Sequence, residues 1–497
     1  MTPREYRRKN KSQKRNTKLS SKTLQIYNSI TKQKEVFTSI EPGIVRMYSC
    51  GLTVNNLMHI GHARCYIFWD VIERFLSYIG YQVKHVSNVT DISIDDRLIK
   101  RIKETGESFQ QLIIRHTRDY FADRRRLGIA DPLTYSLATQ HIHEMIEFVQ
   151  RLIDSGHAYV AEDGVYFRIS TFPEYGKLAG ISHEALREGA GGRIDKDEYD
   201  KESVGDFVLW KTAKPGEPYW FSPWGKGRPG WHIECSAMAM KYLGETLDIS
   251  GGGEDNIFPH HENTIAQSEA ATGRTFVKFW VHVRHLSLNG EKMSKSTGNF
   301  ITARDAVERY GPAAVRLFLL SAHYRKPIDF NEADLIRTQK KLDRIQQVIA
   351  HLDAIRREEA KSIAENSSLK EKLSTVESQF LAVMNNDFNT SLALSKLFAF
   401  IKEVQTHLEP TPKIGKQQAT QILTFLQQVG TILFGDLYEQ EVAKQVDLKT
   451  AKMIELLLKE RERLRQNREF ERADTIRTAL QKLGINIEDS TKETLWW

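Results

Sequence analysis

Two predicted strands and the helix between them constrain the fold of this chain more than any other segment. Residues 43–49 read Gly-Ile-Val-Arg-Met-Tyr-Ser, which is typical of a buried strand, and a second strand is predicted over residues 82–89. Between them, residues 66–79 repeat apolar side chains every three or four positions, which predicts a helix. Strand–helix–strand units of this length place their two strands parallel in one sheet. We therefore predict an α/β fold with a Rossmann-type parallel sheet.

The loop that leaves the first strand and begins the helix carries His59-Ile60-Gly61-His62. At the start of a helix, backbone N–H groups and the helix dipole favour a bound anion. The histidines add donors for phosphate, and the glycine lets a flat ring approach the backbone. A capped helix with two surface histidines explains the same residues equally well. Evidence from other segments of the sequence is needed to choose between an anion-binding site and a helix cap without a ligand.

Length and composition indicate a globular protein of several domains. With 497 residues, of which 40% are hydrophobic, we expect two to four domains. No apolar run approaches the roughly 20 residues that a membrane helix requires, and residues 1–22 lack the apolar segment of a secretory signal. Three cysteines form no disulfide framework, which fits a reducing compartment. We therefore expect a cytoplasmic protein without membrane segments.

The positive charge of the chain is concentrated at its start. Residues 1–22 hold nine Lys or Arg against one acid, Glu5, whereas the formal net charge of the whole chain is +7, so the remainder is nearly neutral. A short basic segment of this kind is most often a disordered arm that helps to bind polyanions such as RNA. An inert, solvated extension is nearly as good an explanation.

Three potential metal ligands are far apart in the sequence. Cys50, Cys235 and His260 form no CxxC pattern, so their spacing alone favours two buried thiols and a capping histidine. Each of them, however, is predicted to follow a strand or to lie in a loop that faces one crevice of the sheet. Two thiolates and one imidazole suit Zn²⁺, and three protein ligands leave a position for a substrate.

A second candidate site is the loop Lys292-Met293-Ser294-Lys295-Ser296, which is flanked by Gly290 and Gly298. Two lysines in a mobile loop can bring positive charge to a triphosphate, where phosphoryl chemistry develops negative charge. Alone, such a loop is usually only a surface loop. Together with the two-histidine loop, however, this loop strongly indicates a site for a triphosphate.

These motifs resemble the two signatures of class I aminoacyl-tRNA synthetases, HIGH at residues 59–62 and KMSKS at residues 292–296. The resemblance narrows to the cysteinyl-tRNA synthetases through Cys-Gly-Leu-Thr-Val at 50–54, the tryptophan-bearing segment 222–238, and Phe-Pro-His-His-Glu-Asn at 258–263. It runs from about residue 23 to the end of the chain, and the segment 222–238 is far more specific than the two signatures.

The resemblance implies a two-step reaction with Mg·ATP, L-cysteine and a cysteine tRNA. The cysteine carboxylate attacks the α-phosphate to give cysteinyl-adenylate and pyrophosphate, and the acyl group then passes to the terminal adenosine of the tRNA. The implied catalytic residues are His59, His62, Lys292 and Lys295. The implied ATP contacts are His59, Gly61, His62, Lys292, Ser294 and Lys295. The implied walls of the amino-acid pocket are Gly51, Thr53 and Trp231, and the implied zinc ligands are Cys50, Cys235 and His260.

A zinc ion gives the pocket a means to distinguish cysteine from serine. Zinc accepts the substrate thiolate and disfavours the harder hydroxyl, so no editing domain is required. The chain departs from the family pattern at this site: Thr264 stands where the family usually has a glutamate ligand, and Ser250 where it usually has a histidine. We predict that Cys50, Cys235 and His260 keep the zinc, with water or Glu262 in the remaining position.

The predicted elements and the resemblance together divide the chain into seven segments. In order they are a basic disordered extension (1–22), the first half of the Rossmann catalytic domain (23–130), a connective insertion (131–229), the second half of the catalytic domain (230–285), the KMSKS loop and stem-contact region (286–328), a helical tRNA-binding bundle (329–436), and a linker with a small C-terminal anticodon-recognition domain (437–497).

We expect a tRNA synthetase that acts as a monomer. Two other functions are alternatives to this interpretation. A related ligase would join activated cysteine to a small amine such as an amino sugar, but such relatives lack the C-terminal RNA-binding domains that residues 329–497 resemble. A non-catalytic RNA-binding relative would not need intact signatures. The sequence therefore favours the cysteine–tRNA ligase.

Overall fold

The computed structural model describes residues 23–92, 106–182, 205–215, 217–293, 299–357, 366–408, 413–435, 437, 448–483, 485–489 and 494–496. The described chain begins with an antiparallel hairpin. Its two strands are β1 (Gln25–Asn28) and β2 (Gln33–Val36). The basic extension (1–22) lies outside the described residues.

The predicted strand–helix–strand unit is confirmed. The elements of this first half are β3 (Ile44–Ser49), α1 (Ile60–Tyr78), β4 (Gln82–Val89), α2 (Phe109–Arg126) and β5 (Thr134–Leu137). The helix predicted over 98–127 begins at Phe109 within the described residues, because Ser108 and Gln111 form a reciprocal capping box. The helix predicted over 137–156 is wrong at its start, since residues 134–137 pair with β4 as a strand.

A second sheet lies between the two halves of the parallel sheet in sequence. Its elements are α3 (Ile142–Asp154), β6 (Ala158–Ala161), β7 (Gly164–Phe167), β8 (Phe207–Thr212), β9 (Trp220–Ser222) and β10 (Gly225–Pro229). The five strands are antiparallel in the order β6-β7-β8-β10-β9, and the predicted hairpin at 162–164 joins the first two. The loop predicted over 184–204 lies outside the described residues.

The chain then returns to the parallel sheet. The returning elements are α4 (Trp231–Leu243), β11 (Leu247–Gly253), α5 (Glu262–Thr272) and β12 (Val277–Val283). All pairs in the sheet are parallel, and the order is β12-β11-β3-β4-β5. The chain therefore adds strands on one side of β3 and later on its other side. Ligands of open α/β sheets bind at such a reversal, beyond the carboxyl end of the strand, and Cys50 follows β3 there.

A three-stranded sheet and two helices connect this domain to a helix bundle. They are β13 (Leu286–Leu288), β14 (Glu291–Lys292), α6 (Ala303–Tyr310), α7 (Pro312–Leu320) and β15 (Ile328–Phe330). The bundle helices are α8 (Glu332–Arg357), α9 (Ser367–Met384), α10 (Thr390–Thr406) and α11 (Lys416–Phe434). The apolar positions that predicted the first of them are buried in the core: Leu342, Ile345, Ile349 and Leu352.

The last described unit has its own small core. It consists of α12 (Leu448–Gln466), α13 (Phe470–Lys482), β16 (Ile487–Asp489) and β17 (Thr494–Trp496). Ile454, Leu458, Leu480 and Ile487 form a hydrophobic cluster separate from the main one.

A buried ion pair joins the sheet domain to the bundle. The Arg316 guanidinium on α7 contacts the Asp70 carboxylate on α1 and donates to the carbonyl of Leu433 in α11 (2.7 Å) and of Leu127 after α2 (3.0 Å). Both charged side chains are buried. The guanidinium therefore binds groups from three other parts of the chain at once.

Among the described residues, no helix has the length and apolar character needed to cross a membrane.

Candidate active site and metal centre

The three predicted metal ligands meet at the carboxyl end of β3. Cys50 follows that strand, Cys235 lies on the second turn of α4, and His260 lies in a π-helical turn that leads into α5. The Cys50 Sγ is 3.9 Å from the Cys235 Sγ and 3.5 Å from the His260 Nε2. Elements that are far apart in sequence thus bring two thiols and one imidazole together.

A fourth donor, His261, was not predicted. Its Nε2 is 3.2 Å from the Cys50 Sγ, and the donor atoms of Cys50, His260 and His261 all lie within 4.8 Å of one another. The sequence offered a weak signal, since His261 directly follows His260. Without the geometry of the turn, however, only one of two adjacent histidines is expected to face a given point.

Further histidines and an indole orient the two imidazoles. The His260 Nδ1 is 3.0 Å from the His232 Nδ1, and the Trp231 ring stacks on His260 with ring centres 4.2 Å apart. The His261 Nδ1 is 2.8 Å from the His282 Nε2. Partners on the far nitrogen fix the ring and the tautomer of a metal-binding histidine. The predicted pocket residue Trp231 therefore contacts the cluster directly, with 44% of its surface exposed.

Burial sets the protonation of the cluster. It lowers the pKa of His261 and of His232 well below the ordinary value, and neighbouring histidines lower both further. Neutral imidazoles have the lone pair that a metal requires. The contact with Cys235, together with burial, raises the pKa of the Cys50 thiol, while the hydrogen bond from Cys50 lowers the pKa of Cys235. The first thiolate of the pair therefore forms at Cys235.

The spacing of the donors fits a zinc tetrahedron. With Zn–S bonds of about 2.3 Å and Zn–N bonds of about 2.0–2.1 Å, tetrahedral ligands stand about 3.8 Å (S to S) and about 3.5 Å (S to N) apart. The measured separations from the Cys50 Sγ are 3.9 Å to sulfur and 3.5 and 3.2 Å to the two nitrogens. The donor atoms of Cys50, His260 and His261, which lie within 4.8 Å of one another, therefore suit Zn²⁺, and the Cys235 Sγ lies at a zinc-ligand separation from Cys50.

Two residues that the sequence placed near the metal have other contacts. The Glu262 carboxylate accepts hydrogen bonds from the backbone N–H groups of Gly176 (2.8 Å), Leu178 (3.0 Å) and Ala179 (2.8 Å). The expectation that Glu262 completes the zinc site is therefore wrong, because three amides already hold its oxygens. The Thr264 hydroxyl donates to the His260 carbonyl (2.7 Å), and Ser250 lies buried within β11.

The predicted wall residues Gly51 and Thr53 lie beside the cluster. The Gly51 N–H donates to the Asn88 side chain (2.7 Å), and a Cβ on Gly51 would lie 1.6 Å from the Asn88 backbone oxygen. Only glycine fits there. Thr53 pairs with Thr90, whose hydroxyl donates to the buried Glu234 carboxylate (2.9 Å).

The two-histidine loop begins α1, as predicted. His59 is the N-cap, its Nδ1 accepts from the His62 N–H (3.2 Å), and the two rings stack with centres 3.5 Å apart. The capped-helix interpretation is thus confirmed in part. Both rings are half-buried rather than on the open surface, and they lie at the carboxyl-end side of the sheet, where an anion site is also expected.

Both ends of the lysine loop lie against the two-histidine loop. A Cβ on Gly61 would lie 3.0 Å from the His59 ring and 3.1 Å from the Met293 Cε. After the loop, the His59 ring meets Phe300 edge-on at 5.7 Å, and the Ile60 N–H donates to the Ile301 carbonyl (3.2 Å). The Lys292 side chain and residues 294–298, with Ser294 and Lys295, lie outside what the structure describes.

Arg64 connects the same helix to the strand that precedes the lysine loop. Its buried guanidinium donates to the carbonyls of Arg284 (3.0 Å), His285 (2.8 Å), His323 (3.2 Å) and Lys326 (2.5 Å). Arg284 and His285 directly precede β13, which pairs with β14. Arg64 was not among the predicted site residues, because an arginine near the start of a helix usually faces solvent.

Comparison with known proteins agrees with this geometry. Residues 36–340 match the family model for the class I (C) tRNA synthetase catalytic domain, residues 379–434 match the DALR domain, and residues 451–496 match the cysteinyl-tRNA ligase anticodon binding domain. The cysteine–tRNA ligase of Symbiobacterium thermophilum is 44% identical, and that of Pyrococcus horikoshii 45%. Each alignment covers 95% of this chain and 99% of the relative.

Solved structures support the same fold. The methionyl-tRNA synthetase of Mycobacterium tuberculosis, in complex with methionyl-adenylate, aligns over 84% of this chain and 94% of its own with a TM-score of 0.59. At 17% identity this likeness concerns the fold alone. The relatives that are 44 and 45% identical extend over almost the whole chain and share one activity in their names. The chain therefore belongs to the cysteine–tRNA ligase family of class I aminoacyl-tRNA synthetases.

Proposed function

We propose that this protein activates L-cysteine with ATP and transfers it to the 3′ end of a cysteine tRNA. The observation that carries the proposal is that one thiol–imidazole cluster and one two-histidine loop both follow β3 at its carboxyl end. Cys50 directly follows the strand and is 3.5 Å from the His260 Nε2, and His59 begins the next helix, where Met293 of the lysine loop lies beside Gly61. This arrangement supports a site for a thiol amino acid close to a site for a triphosphate.

In the first step, this chain positions ATP and neutralises charge. His59, Gly61 and His62 hold the phosphates at the start of α1, where the helix dipole favours them. Lys292, Ser294 and Lys295 close over the triphosphate of Mg·ATP and stabilise the negative charge that develops as the cysteine carboxylate attacks the α-phosphate. Pyrophosphate leaves, and no protein nucleophile is required.

In the same step, the cluster and its wall select the amino acid. Cys50, Cys235 and His260 hold a zinc ion, which when bound supplies a soft acceptor for the substrate thiolate and a poor one for the serine hydroxyl. Gly51 and Thr53 form the floor of the pocket, and Trp231 covers it from the stacked position on His260. A site that demands a specific polar contact can discriminate by about 10⁴–10⁵ without editing.

The helix bundle and the small C-terminal unit are the parts of the chain that bind the RNA. The DALR and anticodon-binding matches fall on the helix bundle and on the small C-terminal unit. We propose that these units bind the cysteine tRNA, that the basic residues 1–22 add to that binding, and that the protein acts as a cytoplasmic monomer. A ligase for a small amine has no use for these domains.

The proposal is tested by pyrophosphate exchange with cysteine and serine side by side, followed by charging of a cysteine tRNA transcript. We expect exchange that depends on cysteine and exceeds exchange with serine by at least about 10⁴-fold. Comparable exchange with serine would refute zinc-based selection. Exchange without charging would indicate the small-amine ligase, and absence of both would indicate a non-catalytic relative.

A further inference from the structure

His261 presents a second imidazole to the same thiol as His260. Its Nε2 is 3.2 Å from the Cys50 Sγ, closer than the His260 Nε2 at 3.5 Å. Both histidines are buried, with 1% of each surface exposed. A residue in this position either only packs against the metal site or belongs to it.

We propose that His261 is a protein ligand of the metal, so that Cys50, Cys235, His260 and His261 form a Cys₂His₂ site in this chain. The inference rests on the proposed function only for the identity of the metal. It assigns the position that the sequence analysis left to water or Glu262.

The contacts of His261 prepare it for this role. If its Nδ1–H donates to the His282 Nε2 (2.8 Å), then the His282 Nδ1–H donates to the Ser29 hydroxyl oxygen (2.8 Å). In that arrangement the Nε2 of His261 carries its lone pair towards the Cys50 Sγ. A histidine ligand that donates its other N–H to a fixed partner has this same arrangement.

The backbone of β11 lies close to both donor side chains. A Cβ on Gly252 would lie 2.9 Å from the Asn256 Nδ2, 3.4 Å from the His261 Cε1 and 3.6 Å from the Cys50 Cβ. A side chain at position 252 would therefore crowd His261 and Cys50. Because the Glu262 oxygens bind three amides and the Thr264 hydroxyl binds a carbonyl, neither competes with His261 as a donor.

A neutral fourth ligand has an electrostatic consequence for the substrate. Two thiolates balance the charge of Zn²⁺, and two imidazoles add none, so the resting centre is neutral overall. A substrate thiolate would therefore meet less repulsion at this site than at one that also held a carboxylate ligand.

The decisive variant is His261→Asn, because asparagine keeps a donor near the Nδ1 position for His282 but lacks the Nε2. Zinc affinity is measured by competition with a chromophoric chelator, and the visible spectrum of the Co²⁺-substituted protein reports the ligand set. We expect the variant to bind zinc at least about 100-fold more weakly, since loss of outer partners alone costs about 10–100-fold. The cobalt spectrum should lose the intensity of a four-coordinate S₂N₂ site.

Two further variants control the result. Thr264→Ala should bind zinc within about threefold of the wild type, because its hydroxyl faces a carbonyl. His261→Asn combined with Thr264→Glu places a carboxylate one helical turn after His260 and should restore part of the zinc affinity. An unchanged affinity and cobalt spectrum in His261→Asn would overturn the assignment and leave the proposed function intact. Wild-type protein that binds cobalt as S₂N₂ yet shows no cysteine-dependent exchange would refute the function and retain the site.

Discussion

Replacement of Arg64 by methionine should impair both the stability and the catalytic rate of this enzyme. Arg64 lies in the second turn of α1, two residues after His62, and donates to four backbone carbonyls on the segments that precede β13 and β15. Those strands support β14, from which the lysine loop starts. Methionine fills a similar volume but donates nothing, so the connection between the two ATP-binding loops is lost.

The size of the effect follows from the contacts. Hydrogen bonds to a charged donor contribute about 1.5–3 kcal/mol each, which gives about 6–12 kcal/mol for four if they were additive. Burial lowers the pKa of Arg64 to about 10, which corresponds to about 3 kcal/mol against the charged form. The guanidinium stays charged at neutral pH. Its four hydrogen bonds exceed the cost of burying the charge by at least about 3 kcal/mol, and Arg64→Met should lose this stabilisation.

The assay compares urea unfolding and cysteine-dependent pyrophosphate exchange in Arg64→Met, Arg64→Lys and a matched surface variant, Arg46→Met. Arg46 makes a partly exposed ion pair with Glu41 at 3.4 Å, so its loss should cost at most about 1 kcal/mol.

For Arg64→Met we expect kcat to fall by about 10–100-fold with a smaller change in the KM for cysteine, since misplacement affects the transition state most. Arg64→Lys should be intermediate, because one ammonium cannot reach four carbonyls. Wild-type stability and kcat in Arg64→Met would refute the argument.

Four further outcomes are expected. Gly51→Ala should abolish exchange or folding, as measured by exchange and circular dichroism, because its Cβ would lie 1.6 Å from a backbone oxygen. Burial lowers the pKa of His323 to about 4, so the unfolded chain takes up its proton first as pH falls below about 6.5. Between pH 7.5 and 5.5 the wild type should therefore lose about 1.4 kcal/mol more in urea unfolding than His323→Asn. Lys295→Ala should lower kcat for exchange far more than cysteine affinity. Removal of residues 1–22 should flatten the salt dependence of tRNA binding in filter assays, and an unchanged slope would make that segment inert.

Periodic apolar patterns were enough to predict the core of the fold. The strand over 82–89 and the bundle helices are found where the patterns place them, because long elements average out local exceptions. The strand β5 was missed because its four residues adjoin a strongly helical segment. The strand β11 continues through three glycines, and glycine is required at 251 because a Cβ there would lie 1.8 Å from the Val281 oxygen of the neighbouring strand.

The sequence predicted those site residues whose type is tied to one chemistry. It did not predict the residues whose role depends on the orientation of the side chain in the folded chain. Cys50, Cys235 and His260 could be placed together because each follows or faces a strand end. His261 and His282 depend on how the turn before α5 rotates two adjacent rings, which the spacing of residues does not encode. Glu262 was named beside water as a candidate for the remaining metal position, yet three backbone amides from a distant loop bind its carboxylate.

The Arg316–Asp70 ion pair bears on how this enzyme can be divided. A fragment that ends before the bundle would keep Arg316 and Asp70 but lose the Leu433 carbonyl that Arg316 also binds, and it would expose the apolar face that α1 and α7 share with α11. Leaving a buried charged donor without one of its acceptors costs about 1–3 kcal/mol or more. We therefore expect the shortest autonomous unit for activation to be not residues 23–330 but a chain that extends through residue 434.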